Sequence, residues 1–296
     1  MEPEAGRKAS SPSAAEGPGG SLDRWPCRFL RVRDGADPQP MQGTVVAEEP
    51  LEIRIQGRTV AVLMRTPGHE KELAVGYALG EGLIRSFDDV ALVQHCGRLV
   101  LDSETAQDPL DVSRNRVHIT LREGATLGTP GSEVAPLIRS GCGAVRLDEV
   151  DLHVAPLQRD DLRVSRAVVA GLSAQMPPRQ QAYRESGGIH AAAIFTPEGR
   201  LVVLLEDVGR HNAVDKVTGY CLLRGIPLGD KILVSTGRAS SDMVVKAVRL
   251  GIPIVASRSS PTSLAVQWAE RLHCTLLGYL RRGQFRIYAH PWRIAL

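Results

Sequence analysis

Beyond residue 22 the apolar positions fall into short runs whose period changes along the chain. Thr44–Val46, Leu51–Ile55 and Val60–Met64 are strand-length runs, the last two separated by Gln56-Gly57 as a turn, and they predict a small antiparallel sheet. The spacing of Leu73, Tyr77 and Ala78 predicts a helix over 69–84, loosened at its end by Gly80 and Gly82. Val117, Ile119 and Leu121 alternate with polar residues as in a strand. Arg163 to Met176 reads as a helix capped by Ser165 and stopped by Pro177-Pro178. Between Glu123 and Arg139, glycine and proline interrupt every period. A loop of that length inside a compact domain is either functional or disordered.

After the two prolines the pattern becomes a regular alternation. His190–Phe195 and Leu201–Leu205 flank Pro197-Glu198-Gly199-Arg200 as a hairpin, and a helix follows over 212–224, closed by Gly225. Lys231–Ser235 reads as a buried strand, Ser240–Leu250 as a helix, Ile252–Ser257 as a strand and Ser263–His273 as a helix. Thr275–Tyr279 and Phe285–Ala289 are the last strands. This order predicts an α/β layered domain with helices on both sheet faces. The chain then divides into a tail (1–22), a smaller strand-rich α+β domain (23–178) and the layered domain (179–296).

Composition narrows the class. The tail is built from Gly, Pro, Ala, Ser and Glu without an apolar run, which predicts disorder and neither a secretion signal nor a membrane span. At 296 residues, 43% hydrophobic and 23% charged, the chain reads as an ordinary soluble protein. A net charge of +3 is too small to predict duplex nucleic acid as a partner. Five scattered cysteines, Cys27, Cys96, Cys142, Cys221 and Cys274, form neither a disulfide framework nor a zinc cluster, and a reducing cytoplasm fits them best.

Four stretches carry candidate chemistry. In RSGCGAVR, Cys142 stands between Gly141 and Gly143, with Arg139 and Arg146 nearby. The glycines suit an exposed, bendable tip and the arginines favour the thiolate; a small residue in a glycine turn is the other reading. LLEDVGRHNAVDK gathers Glu206, Asp207, Arg210, His211, Asp215 and Lys216 before a helix, as general acids or as a charged network fixing the helix start. STGRAS, with Arg238, and ASRSSPT, Ala256 to Thr262, each put hydroxyls and an arginine at a helix start. Such ends of strands in one sheet suit a phosphate or diphosphate. No P-loop or GxGxxG spacing is present. His190-Ala191-Ala192 lacks the acid of a deaminase HxE motif and no PCxxC follows, which excludes zinc-dependent deamination and leaves His190 as a buried or a catalytic histidine. His69 and Glu70 read as a helix cap and a first-turn acid, or as a proton-transfer or metal pair.

SGGIHAAA, EDVGRHNAVDK, STGRASSDMVVKA and GIPIVASRSSPTSLAV, with the GCG at 141–143 and TPGHEKELAVGYALGEGLI earlier, together resemble the FdhD family of formate dehydrogenase accessory proteins, from about Gly43 to Ile294. The resemblance implies a cytoplasmic, homodimeric sulfurtransferase. It would take sulfur from a cysteine desulfurase as a persulfide and pass it to the molybdenum cofactor destined for formate dehydrogenase. It also implies a cytidine-deaminase-like, three-layer α/β/α carboxy-terminal domain without zinc. By position the persulfide cysteine is Cys142. The stretch that contacts molybdenum bis(molybdopterin guanine dinucleotide), the acceptor substrate, is Ala256, Ser257, Arg258, Ser259, Ser260 and Pro261. Arg210 and Arg238 join them as phosphate partners from neighbouring loops. Many members read GCGxCG, whereas Val145 and Arg146 stand here, so Cys142 is expected to act without a second cysteine. A non-catalytic cofactor chaperone is the alternative reading, and a guanine-nucleotide-binding regulator a third.

Overall fold

A computed structural model describes residues 23–96, 115–128, 154–158, 161–281 and 283–296. The tail (1–22), Cys142 and the loop from residue 129 onward lie outside them. The amino-terminal part begins with a two-stranded antiparallel ribbon, β1 (Arg24–Arg33) and β2 (Ala36–Val46). It continues with β3 (Glu49–Ile55), β4 (Arg58–Arg65), α1 (Glu70–Gly80), β5 (Val90–Cys96) and β6 (Arg116–Leu121). Gln56 and Gly57 join β3 to β4 with φ of 49° and 76°, the two positive values that a tight hairpin turn needs.

The small sheet departs from the sequence expectation. Thr44–Val46 belongs to the ribbon, and the sheet has four strands in the order β4-β3-β6-β5, with β6 parallel to β3. Parallel neighbours need a crossover, which α1 and β5 supply. Leu51, Ile53 and Ile55 of β3 pack with Leu73, Ala74 and Ala78 of α1, one sheet face against one helix face. Val62, Met64 and Leu92 remain exposed.

The second part comprises β7 (Val164–Ser165), α2 (Arg166–Leu172), α3 (Gln181–Ser186), β8 (His190–Phe195), β9 (Leu201–Asp207), α4 (Arg210–Leu223), β10 (Ile232–Ser235), α5 (Ser241–Arg249), β11 (Ile254–Ser257), α6 (Ser263–Arg271), β12 (Thr275–Arg281), β13 (Gln284–Ala289) and β14 (Ile294–Ala295). Six strands form one mixed sheet in the order β13-β12-β11-β10-β8-β9. Its central strands are apolar throughout because both faces are covered. Ala191, Ala193, Phe195, Ile232, Val234, Ile254 and Ala256 face α2. Their alternates Ala192, Ile194, Leu233 and Val255 face the layer of α4, α5 and α6. Helices therefore lie on both faces, as the alternation predicts.

Val164, Val169, Leu172 and Met176 pack on this sheet, and β7 pairs with β14 at the chain's end. Packing therefore changes before the two prolines. Ser165 caps α2, accepting from the Val168 N–H at 3.2 Å, as expected from the sequence. Pro177-Pro178 starts a short 3-10 turn that leads into α3, a helix the periodicity did not predict.

The two parts are joined by α1 crossing α4 at backbone contact. A methyl group built on Gly76 would stand 1.9 Å from the Asp215 carbonyl oxygen, and one on Gly219 would stand 1.9 Å from that of Glu72. Buried ion pairs flank the crossing. Lys246 of α5 lies 2.7 Å from Asp215 and 3.2 Å from Glu81, and Lys216 lies 2.7 Å from Asp207 and donates to the Thr66 carbonyl at 2.8 Å. No described helix is long and apolar enough to cross a membrane.

Candidate functional site

Strand direction decides where the chemistry gathers. β8 is antiparallel to both β9 and β10, and β10, β11 and β12 are mutually parallel. The carboxyl ends of β9, β10, β11 and β12 therefore lie along one edge, where β8 begins at His190. The loops singled out in the sequence are stitched together there. The Arg258 N–H donates to the Ser235 carbonyl at 2.9 Å, the Ser257 hydroxyl to the Gly237 carbonyl at 2.6 Å, and the Thr262 N–H to the Ala239 carbonyl at 3.0 Å. Arg210 lays Cβ and Cδ against Gly237, where an added Cβ would meet both at 2.9 Å.

The charged side chains of LLEDVGRHNAVDK are almost all occupied by structure. Glu206 accepts the N–H groups of Ala182 and Tyr183 at 2.9 Å each, capping α3, and burial pushes its carboxyl above the usual range. Asp207 holds Lys216, the Gly209 N–H at 2.8 Å and the Asn212 amide at 3.0 Å. Asp215 holds Lys246. His211 Nε2 lies 3.0 Å from the Ser240 hydroxyl at the start of α5. Of the two readings left open by the sequence, a charged network fixing the helix start is what forms. His69 and Glu70 likewise do not make a joint site. Glu70 accepts from the Gly68 N–H at 2.7 Å, whereas His69 sits 3.8 Å from Glu72, whose carboxyl falls to about 2 chiefly because that imidazole stands beside it. Among the described residues no His, Cys, Asp and Glu cluster could hold a metal ion.

At this edge lies a pocket of about 480 Å³, walled by α3 and its flanks on one side and by the strand ends on the other. Arg258 from the predicted binding stretch lines it, together with Arg281 at the end of β12, His190, Thr236 and Gln180. No lining residue carries a carboxylate, and neither arginine has one as a partner among the described residues. Thr236 accepts the Ala191 N–H at 2.9 Å and lies 3.5 Å from His190 Nδ1. Burial and then the Arg210 guanidinium lower the His190 pKa, which keeps the ring neutral. Gln180 is 2% exposed, and its carboxamide oxygen is buried without a donor among the described residues. Such an unpaired acceptor costs about 1–3 kcal/mol.

The remaining predicted residues are divided by burial. Ala256 and Ser257 end β11 and are fully buried, and the Ser257 hydroxyl is used within the loop, also accepting the Ser259 N–H at 2.9 Å. Ser259, Ser260 and Pro261 are half-buried and Arg238 is exposed, whereas Arg210 has its Nε buried without a partner among the described residues. Sequence reasoning missed Gln180, Tyr183 and Arg281 as wall residues. No local motif marks them; their shared position follows from the strand order and from the Glu206 cap that places α3.

The four cysteines among the described residues differ sharply. Burial pushes the Cys221 thiol up to about 11 and the Cys274 thiol up to about 12, whereas Cys96 is exposed and Cys27 half-buried. Neither buried thiol suits a sulfur carrier. Iodoacetamide at neutral pH is expected to leave Cys221 and Cys274 unmodified until the chain is unfolded. Peptide mass mapping checks this, and rapid native labelling of either would contradict their burial.

A family model described as FdhD/NarQ matches residues 46–295. The chain belongs to the FdhD/NarQ family. Among its relatives, a protein named sulfur carrier protein FdhD from Streptomyces avermitilis is 39% identical over 274 residues, covering 91% of this chain and 95% of that one. Another of the same name, from Sulfurisphaera tokodaii, is 38% identical over 254 residues, covering 84% and 91%. The fold is similar to the crystal structure of a protein described as a formate dehydrogenase accessory protein from Desulfotalea psychrophila. The TM-score is 0.70 at 26% identity, over 92% of this chain and 99% of that one. Family membership thus agrees with the resemblance carried by the motifs.

Proposed function

We propose that this protein is a sulfur carrier serving formate dehydrogenase, and that it acts as a sulfurtransferase through a persulfide on Cys142. The relatives named sulfur carrier protein FdhD support the first part. The Cys142 thiolate attacks the outer sulfur of a persulfide on a cysteine desulfurase. The new S–S bond forms at Cys142 as the old one breaks, and the donor cysteine leaves as a thiolate. No net oxidation occurs, so the step needs no other reagent. The outer sulfur, at the zero oxidation level, is then handed to molybdenum bis(molybdopterin guanine dinucleotide), held as substrate and not as a resident cofactor. Its bond to Cys142 breaks, Cys142 leaves as a thiolate, and the acceptor in its reduced form supplies the two electrons that make the sulfur a sulfide. With Val145 at the second cysteine position of many members, this transfer, and not an internal disulfide, resolves the persulfide.

The observation that carries the acceptor reading is the pocket at the strand ends. It presents Arg258 and Arg281, without carboxylate partners among the described residues, beside the loops at 235–240 and 256–262. Guanidinium groups at the mouth of a pocket, with no carboxylate partner among the described residues, match the phosphates of a dinucleotide. The apolar faces left open on the small sheet and the ribbon, Val62, Met64, Leu92, Trp25 and Leu30 among them, are compatible with a homodimer and with protein partners.

Incubation with a cysteine desulfurase and cysteine, followed by intact-mass analysis, tests the carrier step. The expected product is the chain plus one sulfur atom, mapped to the peptide containing Cys142. Labelling at Cys96 in its place, or none, rejects the assignment.

A further inference from the structure

Among the described residues of the pocket wall, Gln180 is the one whose side chain is both almost completely closed off from water and incompletely paired. Its backbone is fixed: the Gln180 N–H donates to the Pro177 carbonyl at 3.3 Å, and its own carbonyl accepts from the Arg184 N–H at 3.2 Å. It is 2% exposed, and its Oε1 has no donor among the described residues. Buried acceptors in folded proteins are almost always satisfied, so an exception at the wall of a polar pocket calls for a partner from outside the chain. In the same lining, Arg258 and Arg281 offer only donors, since a guanidinium has no acceptor. Those arginines suit the anionic end of a ligand. The carboxamide oxygen suits the opposite requirement, an N–H.

We propose that Gln180 is a specificity-determining residue of this pocket, its carboxamide oxygen accepting a hydrogen bond from an N–H on the heteroaromatic end of a phosphorylated ligand whose phosphates lie on Arg258 and Arg281. The proposal rests on the diphosphate reading above and adds a residue and a chemical requirement to it. The ligand's ring system must carry a hydrogen-bond donor. A ring of the same size without one leaves Oε1 unpaired and forfeits the bond, which is how a buried polar group discriminates between near-isosteres. The pocket, at about 480 Å³, lies within the range of nucleotide-sized sites. Glu206 sets the position of the reading residue by capping the helix that follows it.

The test is equilibrium binding to the full chain of three probes: guanosine diphosphate, whose base carries N–H donors; the diphosphate of unsubstituted purine riboside, whose base carries none; and inorganic pyrophosphate. The wild-type protein is expected to bind guanosine diphosphate about tenfold or more tightly than the donor-free analogue. In Gln180→Met, similar in size but unable to accept, the two nucleotides should bind alike, while pyrophosphate binding stays near wild type and the melting temperature does not fall, since the variant removes an unpaired buried acceptor. Pyrophosphate binding by the variant also reports that the pocket is folded. Equal binding of both nucleotides by the wild type overturns the Gln180 assignment alone, as does a preference that survives in Gln180→Met. If neither the nucleotides nor pyrophosphate bind the wild type, the diphosphate reading falls and takes this inference with it.

Discussion

Gly219→Ala is expected to destabilise the protein by about 3 kcal/mol or more, at or beyond the upper end of what overpacking usually costs. The reason is the partner of the added methyl group. At 1.9 Å it would meet the Glu72 carbonyl, a backbone atom inside α1 that cannot swing aside as a side chain could. The helices must separate, and Gly76 on α1 faces the same obstacle against Asp215. Separation would also pull apart the pairing of Lys246 with Asp215 and Glu81, groups whose burial makes an unpaired charge costly. A thermal melt should show a fall of roughly 6–12 °C for that loss. Gly171→Ala provides the contrast. Gly171 lies in α2 with open space where the methyl would go, so the exchange should be neutral or stabilise by up to about 1 kcal/mol. Equal effects from the two substitutions would show that α1 and α4 do not meet at their backbones.

Cys142→Ala is expected to abolish function while leaving the soluble protein in place. In cells lacking their own copy, formate dehydrogenase activity restored by this variant should fall at least about a hundredfold below wild type, because on the proposed mechanism Cys142 is the covalent nucleophile and its removal has no substitute. Cys142→Ser should fail equally, since an oxygen in that position cannot carry the sulfur as a persulfide. The buried Cys221 and Cys274 offer no replacement thiol, their pKa values standing at about 11 and 12. Full restoration by Cys142→Ala would instead establish the non-catalytic chaperone reading, in which the pocket binds and hands over the cofactor and the cysteine is incidental. The persulfide mass measurement and this complementation assay therefore bear on the same residue through independent readouts.

Much of the architecture was legible from periodicity. The strands at 190–195 and 232–235 read as apolar runs because both their faces are covered, and α4, α5 and α6 announce themselves by their spacing and by the glycines and hydroxyls at their ends. The elements that escaped are those with weak local signals. The ribbon strand Arg24–Arg33 interleaves arginines with exposed apolar residues and buries little on either face. Helix α3 is six residues long and takes its cap from Glu206, distant in sequence. The parallel pairing of β3 with β6 was likewise invisible, since the apolar alternation of a strand does not name its neighbour.

The candidate site divides in the same way. By itself the sequence determined the family, through long motifs in order, and that resemblance is the ground on which Cys142 and the stretch from Ala256 to Pro261 are proposed. It also determined that hydroxyls and arginines cluster at strand ends, because those residues are adjacent in the chain. Only the tertiary structure decided which groups are free to act. Asp207, Asp215, Lys216 and Glu206 look chemically available in the sequence but are consumed by buried pairs and a helix cap. Arg258, Arg281, His190 and Gln180, scattered along the chain, meet around one pocket because four strands run in the same direction and end at one edge. A side chain's type is a local property of the sequence, whereas its partners and its access to solvent are set by residues that only folding brings near.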